Sequence, residues 1–167
     1  MFIEKKPEVI NNNVFSLIGG DWMLIAAEKD GKTNAMTASW GGLGKLFNKN
    51  VAFIFVRKSR YTKEFIDAAS TFSLNFPSPE KYRKEMAYFG RVSGRDEDKI
   101  AKSGFTVIND GAPYFEQADK VLICRKLTKH YLAPEGMIDP RILGDFYNDN
   151  DFHYLYVGEI VKYLEKE

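Results

Sequence analysis

The segment 57–62, Arg-Lys-Ser-Arg-Tyr-Thr, gathers three cationic and two aliphatic hydroxyl side chains between a predicted strand and a predicted helix. Backbone N–H groups at the start of a helix, together with the helix dipole, favour an anion at the same place as the guanidinium groups. Jointly they can bind a phosphate that each would hold weakly. The segment therefore indicates an anion site, but a solvated basic turn with Thr62 as a helix cap explains it equally well on its own.

Residues 33–42 form a second candidate, a strand that alternates small and polar residues and then runs into glycines. The small side chains allow a flat ligand to lie against the backbone, and Trp40 could cover its face or edge. In isolation, an amphipathic strand with one polar face is the favoured interpretation.

The turn 90–99 is dense in glycine and charge and separates two predicted helices. It is a candidate second cationic lip for an anion, although composition alone favours a solvated loop with local Arg–Asp pairs.

His153, which opens the last predicted strand, is a candidate acid, base or in-plane hydrogen-bonding group, although a lone histidine at a strand start is more often structural. Cys124 is predicted to be a small buried hydrophobe rather than a nucleophile. Neither cysteine nor histidine pairs occur at metal-ligand spacing, and no GxSxG, paired-carboxylate or P-loop pattern is present. These absences argue against metal-dependent, hydrolytic and phosphoryl-transfer chemistry.

Short aromatic and β-branched runs predict the strands that must position these side chains, at 51–57, 71–76, 120–129 and 153–164. Asp30-Gly31 predicts a tight turn between strands at 23–28 and 33–40. Gly158 breaks the alternation of the last strand, where a bulge or a close backbone approach could lie.

Few helices are predicted: one over 79–89 capped by Ser78, one capped by Thr62 and running through Ala69, and one over 97–102. Residues 132–152 are predicted to be an irregular surface excursion. Short consecutive strands with few helices predict a mainly β fold, an antiparallel β-barrel with a few peripheral helices.

With 167 residues, of which 44% are apolar, the chain is predicted to form a single domain over 1–167. The net charge of +1 gives no general case for nucleic acid or a membrane surface as partner. The sequence contains no pattern of a signal peptide or spanning helix, so we expect a cytoplasmic protein.

Five motifs follow one another over residues 14–162: segment 34–40, Arg-x-Ser-Arg-Tyr-Thr at 57–62, Asn-Phe-Pro at 75–77, the turn 90–96 with Asp98-Lys99, and His153 before Gly158-Glu159-Ile160. In order and spacing they resemble the flavin reductase-like and flavoredoxin family of FMN-binding split barrels. The resemblance implies a six-stranded Greek-key split barrel that forms a homodimer and binds one FMN near each subunit interface. It also outweighs the purely structural interpretations of the three segments above.

By motif position, the resemblance implies three groups of cofactor-binding residues and one candidate catalytic residue, His153. The groups are a phosphate cradle (Arg57, Ser59, Arg60, Thr62), an isoalloxazine and ribityl wall (Asn34, Thr37, Ala38, Ser39, Trp40) and a second lip (Ser93, Lys99).

The activity that the resemblance implies first is reduction of flavin by NADH or NADPH. The alternative is a flavoredoxin-like FMN electron carrier that is reduced by a protein donor. A β-barrel interaction module without flavin is the third possibility, favoured only if the cationic turns are simply solvated.

Overall fold

The computed structural model describes residues 1–167 and contains ten strands and four α-helices. The helices are α1 (Tyr61–Ala68), α2 (Pro79–Arg91), α3 (Lys99–Ser103) and α4 (Arg141–Phe146). None of them is long and apolar enough to cross a membrane. The strands are β1 (Phe2–Lys5), β2 (Met23–Lys29), β3 (Lys32–Ala38), β4 (Gly41–Leu46), β5 (Lys49–Arg57), β6 (Thr71–Pro77), β7 (Val107–Asn109), β8 (Pro113–Phe115), β9 (Ala118–Tyr131) and β10 (His153–Lys166).

Eight strands form one antiparallel sheet in the order β3-β2-β6-β9-β10-β5-β4, with β1 also paired to β10. Strands from both halves of this path contribute to one cluster of 19 buried residues, so the sheet curves around a common core. The two ends of the path, β3 and β4, are consecutive in the chain and only two residues apart. The predicted mainly β fold is confirmed, and the sheet exceeds six strands because the 41–46 stretch pairs with β5 and the N-terminus with β10.

Two predictions that depend on glycine residues are confirmed, the tight turn at Asp30-Gly31 and the close backbone approach at Gly158. Asp30 and Gly31 adopt φ angles of 52° and 72°, and they join β2 to β3 as a two-residue hairpin turn. The pairing of β10 with β9 shifts register between Val157 and Gly158. A Cβ atom on Gly158 would lie 2.7 Å from Phe72 and 2.8 Å from Cys124, so the close approach requires glycine there.

The helix caps differ from the predicted ones. Arg60, not Thr62, occupies the N-cap of α1, and the Thr62 side chain turns inward, where its hydroxyl accepts a hydrogen bond from Asn34. Ser78 precedes α2 as predicted, but its hydroxyl makes no capping bond. At α3, by contrast, the Asp98 carboxylate accepts from the Ala101 N–H at 3.0 Å.

Residues 132–152 contain only one 3-10 turn (Pro134–Gly136) and the short helix α4, in agreement with the predicted excursion. The excursion leaves β9 and returns at β10, where the N–H of Leu132 donates to the carbonyl of His153 at 3.0 Å. Its last part, residues 146–152, therefore lies beside the end of β5, because His153 pairs with Arg57.

Candidate functional site

Two adjoining cavities open where β3 and β5 end and where α1 and β10 begin. The first has a volume of about 220 Å³ and the second about 310 Å³. They share three lining residues, Met36, Arg57 and Arg60, so they form one continuous depression.

The first cavity has a flat, largely uncharged wall. The end of β3 and the residues after it supply Thr37, Ala38, Ser39 and Trp40, and β5 supplies Phe55. Trp40 is 42% exposed and lies at the rim, with its ring centroid 5.0 Å from that of the His153 imidazole. Ala38 stands between Thr37 and Ser39 in the sequence, and its small side chain leaves room for a planar ligand to lie against the strand.

The second cavity is strongly cationic although the whole chain carries a net charge of only +1. Asp151 is the one acidic residue in its lining. The cationic lining residues are Arg57, Arg60, Arg91, Arg95 and Lys99. Such an excess of guanidinium and ammonium groups favours an anionic ligand, above all a phosphate.

Arg57 holds the excursion in place beside the second cavity. Its Nη1 donates to the Asp151 carbonyl at 2.8 Å, and its Nη2 donates to the Phe146 carbonyl at 3.0 Å. Asp149 lies 3.5 Å from the same guanidinium. These donors are engaged with the chain itself, so Arg57 contributes its charge and the shape of the wall more than free hydrogen-bond donors.

Arg60 and Lys99 fasten the turn after α2 to the cavity. Arg60 Nη1 donates to the Gly90 carbonyl at 2.8 Å. Lys99 Nζ donates to the Phe89 and Val92 carbonyls, both at 2.9 Å, so it caps the C-terminal end of α2. Burial, and then the nearby Arg60, lowers the pKa of Lys99 to about 8. Both cations therefore shape the second lip as well as charging it.

Asn34 lies behind the cavities and does not line either of them. Its Nδ2 donates to the Thr62 hydroxyl at 2.8 Å, and both residues are buried. A Cβ atom on Gly94 would come within 2.2 Å of the Asn34 Oδ1. The absence of a side chain at Gly94 therefore lets the second lip pack directly on the Asn34 amide.

His153 borders the first cavity and is only 7% exposed. Its Nδ1 lies 2.8 Å from the hydroxyl of Tyr147, which the excursion supplies. Burial, and then the positive charge of Arg57, lowers the pKa of His153 to about 4. The imidazole is therefore neutral at physiological pH.

Of the twelve residues named from the sequence, the structure brings all but Asn34 into the lining of the two cavities. The other lining residues within the three candidate segments are Met36, Tyr61, Arg91, Val92, Gly94 and Arg95. Sequence reasoning missed Phe55 and Asp151, and also Tyr147, which contacts His153. Phe55 was visible as part of a strand that ends at Arg57. Asp151 and Tyr147 gave no local signal, because only the return of the excursion brings them to the site.

Comparison with known proteins assigns the chain to a family. A model of the flavin reductase like domain matches residues 15–167. A flavoredoxin from Methanosarcina acetivorans is 30% identical, with a TM-score of 0.69 over 98% of this chain and 77% of that one. No curated protein matches the sequence significantly.

Two further solved structures share the fold at lower identity. An FMN-binding domain of a flavin reductase-like enzyme from Shewanella baltica OS155 is 16% identical, with a TM-score of 0.71 over 99% of this chain and 77% of that one. An NADH:FAD oxidoreductase from Streptomyces globisporus C-1027 is 15% identical, with a TM-score of 0.66 over 87% and 75%. Because the family model spans most of the chain, this protein belongs to the flavin reductase-like domain family, a family of flavin-related oxidoreductases.

Proposed function

We propose that this chain is an FMN-binding oxidoreductase that reduces flavin with NADH or NADPH. The observation that carries the proposal is the junction of a cavity lined mostly by uncharged side chains with a cavity lined by five cationic ones. FMN has the matching shape, a planar ring system joined by a short polar chain to a phosphate dianion.

The second cavity fits the phosphate. The first N–H groups of α1, at Tyr61 and Thr62, have no partner within the helix and lie at its positive end. Arg60 and Arg95 add positive charge on either side, and the Ser93 hydroxyl adds a polar group, whereas the Ser59 hydroxyl donates to Asp151. This donor set is typical of a phosphate site at a helix start.

The first cavity fits the ring system. Ala38 and Ser39 would form the wall against which the ring lies, Trp40 its rim, and His153 a polar group at its side. When bound, FMN supplies the redox chemistry, and the chain binds, orients and partly shields it. Because the pKa of His153 is about 4, its imidazole is uncharged and carries a single ring proton at pH 7.

The test is a comparison of FMN with riboflavin, which lacks the phosphate. We expect FMN to bind at least tenfold more tightly, because hydrogen bonds to a charged group are each worth roughly 1.5–3 kcal/mol. Quenching of flavin fluorescence measures both affinities. Equal affinities would contradict the phosphate assignment, and absence of binding would contradict the proposed function.

The 30% identity to a flavoredoxin favours a second candidate, an FMN electron carrier that takes electrons from a protein donor. Anaerobic addition of NADH or NADPH to the FMN-loaded protein separates the two. Bleaching of the flavin absorbance at a catalytic rate, without a partner protein, supports the flavin reductase. A spectrum that changes only when a reduced protein donor is added supports the carrier.

We also propose that the protein is a homodimer. Phe15 and Phe47 are 89% and 63% exposed, and the partly exposed Trp40 leads directly into the free edge strand β4. Exposed aromatic side chains beside an unpaired strand are typical of surfaces that another chain covers. Size-exclusion chromatography with light scattering should give twice the chain mass, and a monomer that retains stoichiometric FMN would contradict a shared site.

A further inference from the structure

The two ring nitrogens of His153 have different surroundings. Nδ1 lies 2.8 Å from the hydroxyl of Tyr147, a residue that lines neither cavity. The other nitrogen, Nε2, makes no hydrogen bond within the chain, and the residue borders the first cavity. What the imidazole can offer a ligand therefore depends on which nitrogen carries the proton.

Tyr147 is held rigidly beside that nitrogen. Its ring stacks on Phe152, with centroids 4.6 Å apart and planes inclined by 19°. The Arg57 guanidinium lies 5.4 Å from the centroid of the same ring, and Tyr147 as a whole is 6% exposed. The hydroxyl makes no other hydrogen bond within the chain, so Nδ1 is the one protein acceptor within its reach.

We propose that Tyr147 is a positioning residue that holds His153 in the tautomer protonated on Nε2, so that the neutral imidazole presents an N–H donor to the first cavity. A phenol that must donate to Nδ1 excludes a proton there, and the single proton of the neutral ring then lies on Nε2. The tautomer follows from this chain alone, whereas its use rests on the proposed flavin function.

The charges around His153 keep the ring neutral. Burial is the largest effect and opposes protonation, and Arg57 adds to it; Asp151 favours protonation, and the smaller effects of Arg60 and Asp149 oppose one another. At neutral pH the donor is therefore an uncharged N–H that does not titrate.

A fixed donor selects for a ligand that has an acceptor atom at that position. Hydrogen-bond donors that are set in advance stabilise negative charge that develops on a bound ring system during reduction. The opposite tautomer would present a lone pair and would oppose such charge. Tyr147 would therefore favour the reduced form of the bound cofactor without touching it.

The first test uses the flavin-free protein. Nitrogen-15 chemical shifts of the imidazole distinguish the two tautomers. We expect His153 to show a protonated Nε2 and an unprotonated Nδ1 in the wild type, and a mixture in Tyr147→Phe, which keeps the stacked ring but lacks the hydroxyl. A protonated Nδ1 in the wild type, or an unchanged tautomer in Tyr147→Phe, would overturn the proposal.

The second test measures the midpoint potential of bound FMN. Tyr147→Phe should shift it downward, while Tyr131→Phe, at an exposed tyrosine that makes no hydrogen bond through its hydroxyl, should leave it unchanged. Equal potentials for wild type and Tyr147→Phe would show that the donor does not act on the ligand. If the wild type binds no FMN, the proposed function fails, but the tautomer result in the flavin-free protein stands independently. If Tyr147→Phe does not fold, the wild-type tautomer decides the matter.

Discussion

The carboxylate of Asp151 accepts hydrogen bonds from both the backbone N–H and the hydroxyl of Ser59, the former at 3.0 Å. Ser59 was one of the residues named from the sequence as part of a phosphate cradle. A side-chain anion from the excursion therefore occupies the donors that a ligand phosphate would use, and it is the one acid in a cavity lined by cations.

Asp151→Asn should tighten FMN binding severalfold, about 1 kcal/mol, while riboflavin affinity stays nearly constant. Removing the charge ends the competition with phosphate and retains an amide of similar shape. Titrations of both flavins give the ratio directly. Asp149→Asn is the matched control, because Asp149 lies 3.5 Å from Arg57 but does not contact Ser59. Weaker FMN binding by Asp151→Asn would show instead that the carboxylate builds the site.

Arg60→Ala should weaken FMN binding by roughly 1.5–3 kcal/mol and affect riboflavin less, because a charge that faces phosphate is lost. Arg60 also donates to the Gly90 carbonyl, so the unfolding free energy should fall by about 1 kcal/mol. Arg83→Ala is the control, since Arg83 likewise donates to a backbone carbonyl, that of Gly20 at 3.0 Å, but lines neither cavity. Equal effects of both substitutions on FMN would rule out a specific role for Arg60.

Gly94→Ala should lower the unfolding free energy by about 1–3 kcal/mol and weaken flavin binding, because the new methyl group would meet the Asn34 amide. Displacing that amide releases the Thr62 hydroxyl at the start of α1. Gly144→Ala, where nothing lies within 4 Å of the new carbon, should be tolerated. Chemical denaturation measures both variants, and equal stability would show that the Asn34 contact is adaptable.

Acidification should destabilise the protein through His153. Its folded pKa is about 4, below the ordinary value of 6.5, so the unfolded chain binds more protons between these values. The contribution of neutral His153 is therefore complete above pH 6.5 and is lost as the pH falls toward 4, by about 1–3 kcal/mol. Thermal unfolding at a series of pH values gives the dependence of stability on pH. We expect this dependence to be weaker between pH 4 and 6.5 for His153→Gln than for wild type.

Much of the fold was predictable because its signals are local. The two-residue turn at Asp30-Gly31 requires positive φ angles, and the continuous apolar run of β5 and the alternation at the start of β10 mark buried strands. The edge strand β4 was missed because its glycine-rich sequence has little intrinsic strand preference and pairs only because β5 lies beside it.

The candidate site was likewise predictable only where its residues lie close together in the sequence. Residue type and order indicated Arg57, Ser59 and Arg60 as neighbours in a candidate anion-binding turn, since a strand end and a helix start lie within six residues, and the family resemblance then favoured a phosphate cradle over a solvated turn. The partners of that turn were not predictable. Asp151 reaches Ser59 across 92 positions of sequence, and Arg60 reaches the Gly90 carbonyl across 30.

The sequence by itself determined the mainly β character, the longer strands and helices, the basic turn before α1 and the order of motifs that marks the family. Those features depend on side-chain type, short-range periodicity and turn geometry, which neighbouring residues decide. Only the tertiary structure decided that Lys99 caps α2, that Asn34 lies behind the cavity and that Tyr147 approaches His153. Those contacts depend on how the sheet curves and where the excursion returns, and burial then determines which donors remain free for a ligand.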